Sequence, residues 1–437
     1  SSDTTLTLRA DRNIVWSAGK KLSDDGAKSV SLSLQAGGAI VFNDNPGVTA
    51  SVSTVDIHGS LSAGGIGCVP GSTCVATGNS VYGMGLYVGR GVRIDAHGED
   101  IRLAGKSHAG GAVSGGLGEF PNGALGLILA TYSELAGRNI TLYGEGQTNA
   151  ASGIQIDYGT SCITNGCTRV TASNELSVSA KATVGNSYGL ALVSTTLDAP
   201  TMTLSGVGSG TGAGIFNGTG ANQFALLQNI SNSLSIYADT IGISNTSYPW
   251  SISGTGALTI SATTTGASIG LGSATGTTLI LPQHMFWNGT SGAIKEGFSS
   301  ITIGSGGISS IDVDGLIYSD PLKLQAYGNV TLNGVLSGRS AGSDGLKSSL
   351  VVWADTNGDG GKITVNNSSS ITTNGGGVWM GGGAASGTAN WTPYTGATAM
   401  VVGTGYAKEV LGTSVSNDGT AYGVRVGSGA SISSGGG

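Results

Sequence analysis

Apolar and polar residues alternate in short runs along the whole chain, and turns rich in Gly, Ser and Asn separate the runs. An alternation with period two is typical of β-strands, and no useful window shows the 3.6-residue period of a helix. Glycine is also too frequent for helices, because each Gly inside a helix costs about 1 kcal/mol relative to Ala. The pattern predicts an all-β protein made of short strands and turns.

One short phrase recurs along the chain, in which a Gly precedes an apolar residue, any residue and usually a second apolar residue. Its copies lie in segments 82–88, 124–130, 152–157, 188–193, 212–217 and 422–427. The glycines of the first five copies are separated by 41, 27, 36 and 25 residues. The longer intervals contain loop-like insertions, so the basic unit has about 25 residues. A repeat of this length is typical of a solenoid.

A second phrase interleaves with the first, and in it a corner of small residues separates two alternating strands. Its copies begin at Leu8, Leu34, Ile94, Leu135 and Leu324. Stacked units would place equivalent strands about 4.8 Å apart, with Ile, Leu and Val inside and Ser, Thr and Asn outside. Gly and Asn would turn the corners that need a positive φ. We therefore predict a parallel β-helix, an elongated solenoid with loop insertions that forms one domain over residues 1–437.

Composition narrows the classes of protein further. The chain has 437 residues, of which 79 are Gly and 10% are charged. It contains 19 Lys and Arg residues and 25 Asp and Glu residues. There is no basic stripe of the kind that nucleic acid requires, and no apolar run of about 20 residues that would span a membrane as a helix. The first residues do not resemble a signal peptide, so we expect a removed signal or an internal segment of a longer chain.

Four cysteines form two close pairs, Cys68 with Cys74 and Cys162 with Cys167, and each pair brackets a turn-rich loop. A zinc site with four thiolates is the alternative, but these spacings are longer than those of the usual zinc knuckle. The pattern favours two local disulfides. Such bonds persist outside the reducing cytosol, which predicts a secreted or cell-surface protein.

Segment 350–365 resembles a calcium-binding loop between two strands. Asp355, Asn357 and Asp359 occupy the first, third and fifth ligand positions, whereas Asn366 stands where a bidentate Glu would close the coordination shell. Strand patterns on both sides exclude an EF-hand. A weak calcium site at the bend is one interpretation, and a plain turn built from Asn, Asp and Gly is the other.

Aromatic residues gather near the end of the chain, among them Trp379, Trp391 and Tyr394. Flat aromatic side chains can stack on sugar rings, so these three are candidates for a glycan-binding loop. The alternative is that they cover the edge of a coil.

Catalytic chemistry has weak candidates. Asp312 and Asp314 alternate along one strand, which places both carboxylates on one face, and Asp320 is close enough in sequence to join them. Three matches to G-x-S-x-G lack the strand-to-helix turn that a serine nucleophile needs. The four histidines are scattered without metal-ligand spacing, and each is expected on the surface or in a loop: His58, His97, His108 and His284. We predict that the protein is not an enzyme.

The corner-and-strand phrases "AGRNITL", "AYGNVTL" and "AHGEDIRL", together with "VVWADTNGDGGKITV", resemble the passenger repeats of filamentous haemagglutinin-like adhesins, which are exported by bacterial two-partner secretion. The resemblance implies a right-handed parallel β-helix, export through an outer-membrane partner pore, and adhesion. Convincing Asn-Pro-Asn secretion motifs are missing, because only "NPG" at 45–47 and "PNG" at 121–123 come near them. An internal passenger segment is therefore expected.

Three functions follow from these patterns. The first is a non-enzymatic adhesin or stalk at the surface of a Gram-negative bacterium, which binds a host or bacterial surface glycan or protein. The second is a subunit that self-associates into an extracellular filament by stacking coil ends through added strand pairing. The third is an enzyme that acts on polysaccharide. Calcium is the one cofactor that the sequence suggests.

Overall fold

The structure, a computed structural model, describes residues 4–24, 26, 29–42, 53–66, 74–110, 125–148, 152–157, 167–218, 225–243, 250–339, 348–357, 360–382, 388–391, 400–403 and 423–434. The chain divides into two compact units: unit 1 comprises residues 1–230 and 242–250, and unit 2 comprises residues 231–241 and 251–437. The single elongated domain expected from the sequence stays a prediction.

Unit 1 contains short strands of three to seven residues and two long ones. They are β1 (Thr4–Ala10), β2 (Ile14–Trp16), β3 (Lys21–Ser23), β4 (Val30–Ala36), β5 (Ile40–Phe42), β6 (Thr54–Asp56), β7 (Leu61–Gly64), the two-residue β8 (Ala76–Thr77), β9 (Leu86–Val88), β10 (Arg93–Asp95), β11 (Ile101–Lys106), β12 (Leu127–Leu129), β13 (Glu134–Gly146), β14 (Ile154–Ile156), β15 (Thr168–Ala182), β16 (Leu190–Leu192), β17 (Thr195–Asp198), β18 (Thr201–Val207), β19 (Ile215–Asn217) and β20 (Ala225–Ile230).

Unit 2 has the same kind of strands and one 3₁₀ turn, Gln283–Met285. Its strands are β21 (Ser233–Ala238), β23 (Ser251–Gly254), β24 (Ala257–Ser261), β25 (Ser268–Gly272), β26 (Leu279–Leu281), β27 (Ser300–Gly304), β28 (Ser310–Tyr318), β29 (Leu322–Gln325), β30 (Asn329–Gly338), β31 (Leu350–Ala354), β32 (Ile363–Val365), β33 (Ser370–Thr372), β34 (Val378–Gly382), β35 (Thr388–Trp391), β36 (Met400–Gly403), β37 (Val424–Val426) and β38 (Ser431–Ser433), while β22 (Ile241–Ile243) lies at the boundary between the units.

Parallel pairing organises unit 1 into three ladders. Ladder A joins β1, β4, β7, β11, β13, β15 and β18. Ladder B joins β3, β6, β10, β13, β15, β17 and β20. Ladder C joins β2, β5, β9, β12, β14, β16 and β19. From β2 onward the chain visits C, then B, then A, and repeats that order, with β13 and β15 each crossing B and A in one long strand.

The first recurring phrase forms most of ladder C. Leu86, Leu127, Ile154, Leu190 and Ile215 pair in register on successive strands, and each has no exposed surface. Their shared register keeps these five side chains in one inward column. The prediction that copies of this phrase stack as parallel strands is confirmed for the first five copies, whereas the sixth copy, in β37, belongs to another ladder in unit 2.

The glycines of this phrase are not corner residues, since none of them has a positive φ. A Cβ at Gly126 would collide with the backbone of Glu145 in ladder A and of Gly153 in the next copy of the phrase. Positive φ values occur at other glycines and at Asn residues, as predicted, and also at corners such as Asp157 and Ser194, at 63° and 50°. The glycines are therefore required by the close approach of two backbones.

Unit 2 is built from two parallel ladders that the chain visits in turn. Ladder D joins β21, β24, β27, β29, β31 and β34. Ladder E joins β26, β25, β28, β30, β32 and β37, while β33 pairs with β30 and β38. β35 and β36 form an antiparallel pair. Within the described ranges, no helix is long and apolar enough to cross a membrane.

Outward positions differ between the ladders. In ladder A they carry mostly Ser and Thr, as predicted. In ladder C the middle residues Val41, Tyr87 and Ile128 are apolar and fully buried, and they pack with Met84 into a cluster. The expectation of a polar exterior on every face is therefore wrong for β5, β9 and β12 of ladder C, where both faces of the strand are buried.

Candidate functional site

The predicted calcium bend follows β31. Asp355 is fully buried in a left-handed conformation with φ 52°, and its Oδ1 accepts a hydrogen bond of 2.7 Å from the Gly360 amide. Its Oδ2 has no hydrogen-bond partner among the described residues. Asn357 lies in the turn that follows, and Asp359 lies outside the described residues. Calcium binding stays a prediction, and the hydrogen bond shows that Asp355 also closes the turn.

One of the three predicted glycan-binding aromatics has a described side chain. Trp379 on β34 pairs in register with Val351 and packs against Trp353, which is 5% exposed. The Lys323 Nζ lies 4.8 Å from the centre of the Trp353 ring. Burial lowers the pKa of Lys323 to about 8.

The packing of this patch favours the interpretation that Trp379 covers a sheet face. A ring that already contacts two buried side chains has less of its surface left for a sugar than a fully exposed platform would have. The Trp391 backbone belongs to β35, whereas Tyr394 lies outside the described residues. Glycan binding by these three aromatics stays a prediction.

The cysteine pairs are only partly described. Cys74 is a partly buried free thiol, and its predicted partner Cys68 lies outside the described residues. Cys167 is disulfide-bonded, and its predicted partner Cys162 also lies outside them. No disulfide is seen with both of its cysteines in the described part of the chain. The pairing of Cys162 with Cys167 stays a prediction, and the bond predicted for Cys74 is not seen.

Asp312 and Asp314 lie on the outward face of β28, as their alternation predicts. Asp320 does not join them, because it is 2% exposed and its carboxylate accepts the amide hydrogens of Gly297 and Phe298, each at 3.1 Å. Its role is to close a buried corner.

The nearest cation in register with Asp312 lies far along ladder E. Asp312, Thr331, Thr364 and Arg425 occupy one outward column on four adjacent strands. Three strand spacings separate Asp312 from Arg425, or roughly 14 Å. Asp312 and Arg425 therefore lie on strands that are not neighbours in ladder E.

A cavity of about 400 Å³ opens beside this column. The side chains that line it are amides, a hydroxyl and a guanidinium: Asn333, Thr364, Asn366, Asn367 and Arg425. Asn333, Thr364 and Asn366 each follow a buried core residue, so the alternation places their side chains outward. No local sequence pattern marks this group, because only the strand register brings Asn333 near Arg425.

A larger trough of about 610 Å³ lies on ladder A, and both polar and apolar residues line it. Its main column contains Thr7, Ser33, Ser62, Arg102 and Thr141, which pair in register across five strands. Short hydroxyl side chains there stand about one strand spacing apart. The trough is a surface of repeated hydrogen-bonding groups with one guanidinium.

Two of the histidines that looked scattered in the sequence are stacked in ladder B. The rings of His58 and His97 are parallel within 2°, and their centres are 4.0 Å apart. His58 Nδ1 lies 2.7 Å from Asp24 Oδ1, and His97 Nε2 lies 2.5 Å from Asp56 Oδ1. Ser23, Asp56 and Asp95 share one register position, so the corners that follow them are superimposed. The repeated phrases "DIHG" and "DAHG" are the signal that would have predicted this stack.

The charged groups in this corner shift one another's pKa values. The hydrogen bond that His97 donates to the Asp56 carboxylate is the largest cause that raises the pKa of His97, and burial opposes it. The same bond is the largest cause that lowers the pKa of Asp56, with Lys21 at 3.4 Å as a further cause. Burial raises the pKa of Asp24, but hydrogen bonds, first of all from the His58 amide, outweigh it and lower that pKa overall. In the described part of the chain no three His, Cys, Asp or Glu residues are arranged to hold a metal ion.

Comparison with known proteins adds no relative. No protein-family model, no curated protein and no solved structure matches the chain. The class that the structure defines is an all-β protein with long parallel ladders. The resemblance to filamentous haemagglutinin-like adhesins stays a prediction from the sequence.

Proposed function

We propose that the chain is a parallel β-helix that serves as a non-enzymatic, surface-exposed or secreted adhesin or stalk segment of a Gram-negative bacterium. The observation that carries the fold proposal is the fixed order in which the chain visits ladders C, B and A of unit 1. Three parallel ladders that are visited cyclically, each in register, correspond to one turn of a coil per cycle. The right-handed sense comes from the resemblance alone.

The binding role is supported by the outward side chains. Columns of Ser, Thr and Asn form the trough on ladder A and the cavity on ladder E, and such groups donate and accept hydrogen bonds to sugars or to protein backbones. Of the groups considered for catalysis, Asp312 and Asp314 share one face of β28, whereas Asp320 accepts hydrogen bonds in a buried corner and Arg425 lies about three strand spacings from Asp312. These features favour binding over bond cleavage.

Adhesion is tested with beads that carry the purified chain. Beads coated with the protein should attach to bacterial or host cells more than beads coated with albumin, and soluble protein should compete with the attachment. Attachment equal to the albumin control at saturating coating density would contradict an adhesive role. Electron microscopy of the same material examines the proposed coil directly, because a compact globule would contradict it.

A filament subunit is the second candidate, and a specific observation favours it. Leu6 on β1 belongs to the inward column of Leu32 but is 44% exposed, and Val426 on β37 belongs to the column of Val365 but is 51% exposed. Among the described residues each of these two strands pairs along one edge, and an apolar strand with a second edge open is suited to strand addition by another copy. Light scattering should then show concentration-dependent association that Leu6→Lys and Val426→Lys abolish. A wild-type chain that stays monomeric at about 100 μM would exclude this candidate.

A further inference from the structure

We propose that the trough on ladder A binds an uncharged, straight polysaccharide chain that runs across the strands and places one sugar on each strand. This inference rests on the proposed surface-binding function and names the ligand class of one surface in unit 1. The trough has a volume of about 610 Å³, which lies within the usual range for small-molecule sites, roughly 300 to 1,000 Å³.

Hydroxyl groups repeat in the trough along two directions. Segments 5–7, 31–33 and 60–62 read TLT, SLS and SLS. The second hydroxyls of these segments pair in register from strand to strand. The first hydroxyls lie on the same side, because side chains alternate along an extended chain, and all six hydroxyl residues line the trough. They form a grid with one row per strand, and adjacent rows lie about 4.8 Å apart.

The hydroxyls keep capacity for a ligand even where they already bond inside the protein. Ser31 Oγ accepts a 3.2 Å hydrogen bond from the Ser60 amide, and Ser33 Oγ accepts one of 3.4 Å from the Gln35 side chain. A hydroxyl has one donor hydrogen and two acceptor lone pairs, so each of these two retains its donor. The grid can therefore exchange hydrogen bonds with sugar hydroxyls, which both donate and accept.

The charged side chains at the far end of the trough are engaged within the protein. Asp100 Oδ1 accepts hydrogen bonds from Arg138 Nε at 3.1 Å and from Asn139 Nδ2 at 2.9 Å. Arg102 also has an interaction of its own. Neither group therefore requires an opposite charge from a ligand, and this favours an uncharged chain over an acidic or a basic one.

The repeat along the trough favours a straight chain. Four strand spacings, or roughly 19 Å, separate Thr7 from Thr141. A sugar ring in a β-1,4-linked glycan advances by about one strand spacing, so successive rings meet successive rows. The floor between the two hydroxyl columns lies at Leu32, Leu61 and Ile101, which are at most 2% exposed. Their side chains point inward and leave room for a ring.

Titration calorimetry of the full chain with cello-oligosaccharides of increasing length tests the inference. Affinity should rise about tenfold from cellotriose to cellopentaose, because two more rings each gain hydrogen bonds. Cellohexaose should bind little more tightly, since the five strands are then filled. Maltopentaose, which has the same rings on a curved chain, should bind about tenfold more weakly than cellopentaose.

Ser33→Ala combined with Ser62→Ala removes two neighbouring hydroxyls and should weaken cellopentaose about tenfold. The matched control is Ser235→Ala combined with Thr259→Ala, because those hydroxyls also pair in register on neighbouring strands but belong to ladder D. It should leave the affinity unchanged. Thr7→Val is a second site variant, which keeps the test decisive if the double variant fails to fold. It should weaken cellopentaose more than cellotriose, since a trimer can occupy the remaining rows.

Affinity that does not depend on chain length, equal binding of maltopentaose, full affinity in both site variants, or no glycan binding at about 10 mM would overturn the inference. Any of these results leaves the adhesive function standing if coated beads still attach to cells. Cellopentaose binding without attachment to any cell would keep the site and remove the proposed function.

Discussion

Gly126→Ala is the substitution that examines most directly how closely the ladders of unit 1 approach one another. An added Cβ would be closer to Glu145 N and to Gly153 O than real Cβ contacts allow, and both atoms belong to the backbone. Neither can rotate away as a side chain would, so a ladder must shift. Forcing extra volume into a packed interior typically costs 1 to 3 kcal/mol, and backbone on both sides places this case at about 3 kcal/mol.

Hydrogen exchange localises the effect of this substitution. The amides of Gly126 and Leu127 donate to Ser152 and Gly153 at 3.2 and 3.0 Å, and a penalty of about 3 kcal/mol should speed their exchange about 150-fold if they open by local unfolding. Gly306→Ala is the control, because the nearest atom to its new Cβ is Thr356 Oγ1 at an ordinary 3.6 Å. Equal protection in both variants would refute the backbone contact between ladders.

Three further predictions concern titration, metal and thiols. Because the pKa of His97 is raised in the folded protein, His97 adds its full stabilisation below its unfolded pKa of about 6.5, and this stabilisation is lost as pH rises through the folded pKa. Because the pKa of Asp56 is lowered, Asp56 stabilises the fold above its unfolded pKa of about 3.9, and that stabilisation is lost as pH falls through the folded pKa. The melting temperature should therefore fall between pH 6 and 8.5 in the wild type and fall less in His97→Asn, and parallel curves would contradict the coupling. If the β31 bend binds calcium, adding the ion should raise the melting temperature of the wild type but not of Asp355→Asn, which keeps the side-chain oxygen that accepts from the Gly360 amide. Iodoacetamide should label Cys74 without reductant and Cys167 only after reduction, as peptide mass spectrometry would show; an unlabelled Cys74 would mean that its thiol is bonded.

The strands of the core were predictable because burial acts on the sequence locally. Leu127 and Leu129 alternate with Ile128 within three residues, and the same phrase around Leu190 carries the same pattern, so one strand identifies the next. The prediction of parallel stacking required no knowledge of distant contacts. The expectation of a polar exterior failed at Val41 because the second face of β5 is also buried, and a three-residue strand is too short to distinguish one buried face from two.

The polar sites were less predictable, since register creates them. Asn333 and Arg425 are far apart in the chain, and they come together only because β30, β32 and β37 pair in sequence. The calcium interpretation depended on a local motif, yet the structure gives Asp355 a backbone role that the motif does not contain. The stack of His58 on His97 was partly predictable. The sequence shows the shared Asp-x-His-Gly phrase, but only the structure shows the strand pairing that superimposes the two copies.

The stacking that simplifies the core also restricts where recognition can occur on the surface. In-register parallel strands can repeat one chemistry over several strands of an outward column, as the hydroxyls of Thr7, Ser33 and Ser62 do before the same column reaches Arg102. A uniform column offers a ligand the same contacts at every strand, so it favours no single position. Selectivity requires a change of chemistry along a column, and the step from Thr364 to Arg425 on ladder E is such a change. Substitutions at these steps should therefore alter binding specificity, whereas substitutions inside uniform columns should alter affinity for all ligands alike.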